Sequence, residues 1–164
     1  MRIGFVGLGK MGSQIVSKLL NAGHEVVVSD VNPEAVAAAV EVGAIGASSR
    51  EELVTMLGDK KIIWLMIPDT FVEAEVAAYN DLLHEGDILI DGGNSLFTDT
   101  IRRGEVLAER GVRYIDVGTS GGILGLKNGF SMMVGGDKGA VDTLQPILSV
   151  LSEPSGGYTY MGAS

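Results

Sequence analysis

Short apolar runs alternate along this chain with stretches in which apolar residues recur every three or four positions, the signature of strands separated by amphipathic helices. The runs predict strands near residues 2–7, 25–30, 44–47, 61–67, 87–91, 114–118 and 131–135, with helices between them. Several runs are apolar throughout, as in strands covered on both faces, so the pattern predicts an α/β protein with a mostly parallel sheet. In the first helix Met11, Ile15 and Leu19 form one stripe with Val16 and Leu20 beside it, while Lys10, Gln14, Ser17, Lys18 and Asn21 take the other face. Ser48 and Ser49 followed by Glu51 and Glu52 offer a capping box in either register for the helix that holds Leu53, Val54 and Leu57. Pro33 suits the first turn of the helix before it. A shift to Ser, Pro and Gly over residues 152–157 predicts a turn leading to one more short strand.

Between the first strand and the first helix stands Gly7-Leu8-Gly9-Lys10-Met11-Gly12, and Asp30 closes the second strand. That placement reads as a dinucleotide-binding turn. The first glycine permits the tight turn, the second lets backbone approach a pyrophosphate, and the third lets the helix pack closely on the strand. Amide groups at the helix start then face the anion. The fold expected is therefore a Rossmann-type doubly wound sheet, one dinucleotide-binding domain over residues 1–164. A carboxylate at Asp30 can accept hydrogen bonds from the hydroxyls of the adenosine ribose and repels a 2′-phosphate. Val31 and Asn32 bring no guanidinium to pair with such a phosphate, so NAD is expected in preference to NADP. Asp30 has a plainer reading as well, as a cap for the helix entered at Asn32 and Pro33, and both roles can hold at once.

Three later strands end in loops that would meet at the same crevice, at the carboxyl edge of an open sheet. Met66-Ile67-Pro68 forms either a ledge along the nicotinamide ribose or ordinary core with a helix-starting proline. Asp91-Gly92-Gly93-Asn94-Ser95 brings backbone close to a ligand and offers in Asn94 both a donor and an acceptor, although a simple turn uses the same residues. The stretch from Gly118 to Gly125, with Ser120, Gly121 and Gly122, supplies hydroxyl and amide groups able to hold a carboxylate or polyol.

Charge and composition narrow the partners. The net charge of −9, from 12 basic and 21 acidic residues, argues against nucleic acid and anionic membrane surfaces. There is no cysteine, and two separated histidines, His24 and His84, make no metal site, so metal-free chemistry is expected. The longest apolar run, residues 62–68, is too short to span a bilayer, and the start lacks the h-region of a signal peptide. A cytoplasmic protein is expected.

These residues together resemble the cofactor domains of 6-phosphogluconate dehydrogenases, along the whole chain. The resemblance is carried by Gly7 to Gly12, by Ile90-Asp91-Gly92-Gly93-Asn94-Ser95 with Asp99-Thr100-Ile101-Arg102-Arg103, and by Gly118 to Gly122 with Gly125, Gly129 and Met133-Val134-Gly135-Gly136. The wider β-hydroxyacid dehydrogenase superfamily shares the glycine turn and the Ser-Gly-Gly loop. The resemblance implies that Gly7, Leu8, Gly9, Lys10, Met11 and Gly12 wrap the pyrophosphate. It gives Asp30, Val31 and Asn32 the adenosine ribose, and Met66, Ile67 and Pro68 the middle of the cofactor. Asn94 would touch both nicotinamide and substrate, and Ser120, Gly121 and Gly122 would bind the sugar acid. Many members carry Asn-Arg-Ser or Asn-Arg-Thr where this chain has Asp30-Val31-Asn32, and the missing arginine points again to NAD. The family often continues from the ledge with Lys-Ala-Gly or Ala-Gly, whereas here Pro68 is followed by Asp69-Thr70-Phe71.

The family chemistry is oxidation of 6-phosphogluconate with a lysine general base, decarboxylation, and protonation of the enediol by a glutamic acid to give ribulose 5-phosphate. In the family both groups lie in a helical domain that also builds most of the dimer, and its Gly-His-Phe-x-Lys-x-x-x-Asn stretch is absent from this sequence. No catalytic residue is therefore assigned within the chain, where Lys127 and Lys138 read as solvated side chains. The expectation is a cofactor half that binds NAD without turnover, with a homo-oligomeric parent acting on a sugar-acid phosphate. The rivals are the cofactor domain of a 3-hydroxyisobutyrate or tartronate-semialdehyde type enzyme, and a nucleotide-sensing module without catalysis.

Overall fold

The computed structural model describes residues 1–163, with Ile123 described for its backbone alone; Ser164, the end of the expected domain, lies outside them. Among the described residues the strands are β1 (Arg2–Val6), β2 (Glu25–Ser29), β3 (Ile45–Gly46), β4 (Ile62–Leu65), β5 (Ile88–Asp91), β6 (Arg113–Ser120), β7 (Ser131–Gly136) and β8 (Gly157–Gly162). The helices are α1 (Lys10–Asn21), α2 (Pro33–Glu41), α3 (Arg50–Leu57), α4 (Asp69–Leu82), α5 (Phe97–Ala108), α6 (Gly125–Asn128) and α7 (Lys138–Ser152). They build a Rossmann-like sheet in the order β3-β2-β1-β4-β5-β6-β7-β8. The strands from β3 through β6 in the sheet order run parallel, the direction reverses once, between β6 and β7, and β8 runs parallel to β7. The reversal follows from the connection. Residues 121–130 hold only a 3-10 turn (Gly122–Leu124) and the single turn of α6, too little chain for a parallel crossover.

Alternation along each buried strand feeds two cores. On β4, Trp64 joins Phe5, Ile15, Leu19, Leu144 and Leu148 under α1 and α7, whereas Ile63 and Leu65 join Leu53, Val72, Val76 and Tyr79 under α3 and α4. Because both faces are covered, Ile62–Leu65 is buried at every position, and its sequence shows a continuous apolar run. Each fully buried aliphatic side chain of this kind contributes about 1.5–3 kcal/mol.

Several boundaries differ from the sequence pattern. β1 stops at Val6 and β4 at Leu65, so Gly7 and Met66 to Pro68 lie beyond the sheet edge, where a ligand could reach them. β6 runs on past Gly118, because Thr119 pairs with Met132 and Ser120 with Ser131. What reads as loop is therefore strand as far as Ser120. At α3 the two serines divide the cap: the Ser49 hydroxyl accepts from the Glu52 amide at 3.1 Å, while the Glu52 carboxylate accepts from the Ser48 amide at 2.6 Å. Strand order reverses across β1, where β2 and β4 flank it on opposite sides, and this opens a crevice at the carboxyl ends of β1 and β4.

Candidate functional site

The three glycines of the first turn stand in three different situations. Gly7 leaves β1 at φ +97°, and a Cβ there would lie 2.3 Å from the Met66 carbonyl oxygen. A Cβ on Gly12 would lie 2.0 Å from the Gly7 carbonyl oxygen, so only glycine lets α1 start this close to β1. Gly9 has φ −63°, open to any residue, and no heavy atom lies within 4 Å of where its Cβ would stand. Nothing in the protein requires glycine at position 9; the bare backbone there leaves room for an occupant. Gly9 also caps α1 without a side-chain acceptor, so the amides of the first turn face the crevice with roughly half a positive charge.

Two cavities meet at this turn. The first, about 520 Å³, is lined by Gly9, Lys10, Met11 and Gly12 on one side and by Met66 to Pro68, Gly93 and Asn94 on the other. The second, about 390 Å³, runs from Gly7 and Gly9 past Asp30 and Val31 to Phe71 and Glu75. Met66, Ile67 and Pro68 wall both. The pair forms a trough with a cationic waist, a shape that fits a dinucleotide whose diphosphate lies at Gly9.

Asp30 is tied down from within. One carboxylate oxygen accepts from the Leu8 amide, and the other accepts from the Asn32 amide at 2.8 Å. The helix cap is Asn32, whose side chain accepts from the Glu34 amide at 3.0 Å, so the capping alternative for Asp30 passes to Asn32. Asp30 and the fully exposed Val31 still line the second cavity. The Leu8 amide is spent on Asp30, which leaves the amides from Gly9 onward for an anion.

Asn94 lies where the first cavity meets a third, of about 530 Å³, that includes Thr119, Ser120 and Met133. The structure thus brings Asn94 and Ser120 to one wall. Gly121 and Gly122 follow Ser120 but line none of these cavities; a Cβ on Gly121 would press the Phe130 ring at 3.1 Å.

Beneath Asn94 is a polar network that sequence reasoning did not assign. The buried Asp91 carboxylate accepts from the Gly93 amide at 2.9 Å, the Ser95 hydroxyl at 2.6 Å and the Tyr114 hydroxyl at 3.0 Å. The Arg103 guanidinium, 6% exposed, lies 3.6 Å from it. Arg103 also donates to Ser95 at 3.2 Å and to Glu73 at 2.8 Å, and Arg102 grips the same Glu73. The residues on both sides of Asn94 are thereby fastened to one carboxylate, which fixes the loop that presents it. Burial pushes the Tyr114 hydroxyl up, and the charge of Asp91 adds to the effect. The available signal was Asp91 itself, since an acid closing an all-buried strand needs donors and a cation.

Hydrogen bonds from Arg102, and then from Arg103, pull the Glu73 carboxyl from 4.5 down to about 2. A depressed folded value stabilises the protein above the unfolded value and is lost as pH falls through the folded one. Acid unfolding should therefore show stability falling between about pH 4.5 and about pH 2, and Glu73→Gln should flatten that fall. Equal acid sensitivity in the two proteins would refute the assignment.

A family model, the NAD binding domain of 6-phosphogluconate dehydrogenase, matches residues 2–162. The chain is 44% identical over 165 aligned residues to an NAD(+)-dependent, decarboxylating 6-phosphogluconate dehydrogenase of Haloferax volcanii, covering 100% of this chain and 54% of that protein. The chain thus spans about half the length of this curated relative. Among solved structures, the 6-phosphogluconate dehydrogenase of Plasmodium falciparum, studied with NADP+ and with 6-phosphogluconate, superposes with a TM-score of 0.87 at 28% identity, over 100% of this chain and 37% of that one. The 3-hydroxyisobutyrate dehydrogenase of Mycobacterium tuberculosis, with L-serine, superposes with a TM-score of 0.89 at 25% identity, over 99% and 55%.

Proposed function

Since this chain belongs to the family of 6-phosphogluconate dehydrogenase NAD-binding domains, we propose that it is the cofactor half of an NAD-dependent enzyme for the oxidative decarboxylation of 6-phosphogluconate. The observation that carries the reading is the empty space at Gly9, beside a helix start whose amides have no side-chain cap. In this reading the amides from Gly9 to Gly12 hold the diphosphate and Asp30 meets the adenosine ribose. Met66 to Pro68 lie along the middle of the cofactor, Asn94 stands between nicotinamide and substrate, and Ser120, Gly121 and Gly122 hold the sugar acid. When bound, the nicotinamide supplies a hydride acceptor. The residues of this chain bind and orient; the groups that move protons are assigned to a helical domain of a longer protein. That protein is read as a cytoplasmic homo-oligomer, and this chain alone as competent to bind without turnover.

The preference for NAD rests on Asp30 and on the neutral Val31 beside it, which give a 2′-phosphate repulsion and no partner. Calorimetric titration of the chain should give an NAD affinity about tenfold or more above that for NADP, a difference of at least roughly 1.4 kcal/mol. Tighter binding of NADP, or no binding of either, would overturn the reading. For the longer protein, faster turnover of 3-hydroxyisobutyrate than of 6-phosphogluconate would move the assignment to the sister enzymes.

A further inference from the structure

The second cavity holds a feature that the cofactor reading leaves unused. Among its described lining residues, Val31, Ile67 and Phe71 give an apolar wall, Phe71 being 61% exposed, and the charged side chains are Asp30 and Glu75. Asp30 is occupied at the glycine turn by the amides of Leu8 and Asn32. Glu75 stands on α4 and is gripped from α3: Arg50 Nε donates to Glu75 Oε2 at 2.8 Å, and Arg50 Nη2 donates to Oε1. The carboxylate end is the sheltered partner, 17% exposed against 45% for Arg50. A two-pronged contact of this kind fixes the plane of the carboxylate, and each oxygen keeps a further lone pair. The cavity therefore combines a flat apolar slot with one immobilised group that can only accept.

We propose that Glu75, positioned by Arg50, reads the exocyclic amine of the adenine ring, so that the site selects adenine over a base carrying a keto oxygen at that place. The inference rests on the dinucleotide reading of the crevice and deepens it. An amine donates to the fixed carboxylate. A keto oxygen there would set two acceptors face to face and leave Glu75 without its donor. A pair that merely pinned α3 to α4 would have no influence on base preference.

The test compares the affinities of the chain for NAD and for nicotinamide hypoxanthine dinucleotide, in which a keto oxygen replaces the exocyclic amine and the adjacent ring nitrogen carries a hydrogen. The wild-type chain should bind the hypoxanthine form roughly tenfold more weakly, as expected for losing a hydrogen bond to a charged acceptor in a partly exposed site. Glu75→Ala should bring the two affinities within about twofold of each other, and Arg50→Met should shrink the gap part of the way. Glu75→Gln keeps the side-chain shape while its amide can turn a donor toward a keto oxygen, so it should erase or invert the preference even if the alanine variant folds poorly. Equal wild-type affinities, or a gap that survives both Glu75 variants, would overturn the proposal while leaving the cofactor assignment intact. If the wild-type chain binds neither dinucleotide, the cofactor reading itself fails and this inference falls with it.

Discussion

Replacing Gly9 with valine is expected to weaken NAD binding by at least about a hundredfold while leaving the fold in place, a loss of roughly 2.7 kcal/mol or more. The two halves of this outcome have separate causes. Backbone at Gly9 is already in a region open to branched residues, and the new side chain meets no protein atom within 4 Å at its first carbon. Its bulk projects instead into the space beside the uncapped amides, where it would hold a diphosphate away from them. Gly12→Ala provides the contrast, since its methyl group would lie 2.0 Å from the Gly7 carbonyl oxygen and force α1 off the sheet. The valine variant should thus unfold within a few degrees of wild type and fail in calorimetry, whereas the alanine variant should lose its thermal transition first. Retention of near-normal NAD affinity by Gly9→Val would remove the central support for the cofactor site.

The second large effect is expected at Arg103. Substitution by methionine should destabilise the chain by about 3 kcal/mol in urea titrations, because it leaves a buried carboxylate without the cation that faces it. Three donors would remain on Asp91, from Gly93, Ser95 and Tyr114, which keeps the loss below that of a wholly abandoned charge. Arg103→Lys restores charge but cannot fork between Ser95 and Glu73, so an intermediate loss is expected. Coupling to Asp91→Asn in a double-mutant cycle separates the two contributions. Wild-type stability in Arg103→Met would show that this network is ornamental to folding, and the fixed loop at Asn94 would need another explanation.

The middle of the sheet was legible because β1, β2, β4 and β5 are short and largely apolar, and because burial on both faces leaves a continuous run where one-sided strands would alternate. The glycine turn was legible because Gly7 and Gly12 carry steric demands that only glycine meets, with Gly9 standing between them at the expected spacing. What escaped depended on contacts between distant parts of the chain. Asp91, Arg103 and Glu73 come together from β5, α5 and α4, and no local spacing announces that meeting. The last residues of β6 escaped for a different reason: Gly118, Thr119 and Ser120 have the composition of a loop, and only pairing with β7 makes them strand. Glu75 was invisible as a cavity-lining group, being one of several acids on a helix until Arg50 and the cavity wall single it out. Asp30 stands out in the sequence as the acid that closes the second strand, but its grip on the Leu8 amide does not, since a strand-end acid facing a ligand and one facing the chain look identical in sequence.

In the proposed reading that grip gives Asp30 two jobs, and evolution or engineering cannot alter one without touching the other. Installing arginine at position 30 to welcome a 2′-phosphate would also unfasten the glycine turn, because guanidinium has no lone pair to offer the Leu8 amide. Asparagine would drop the charge yet keep one oxygen for that amide, with a cation then supplied from the neighbouring position 31. The Asn-Arg pattern of other family members is the very solution this constraint allows, so a cofactor swap in this lineage should travel as a coupled pair of changes.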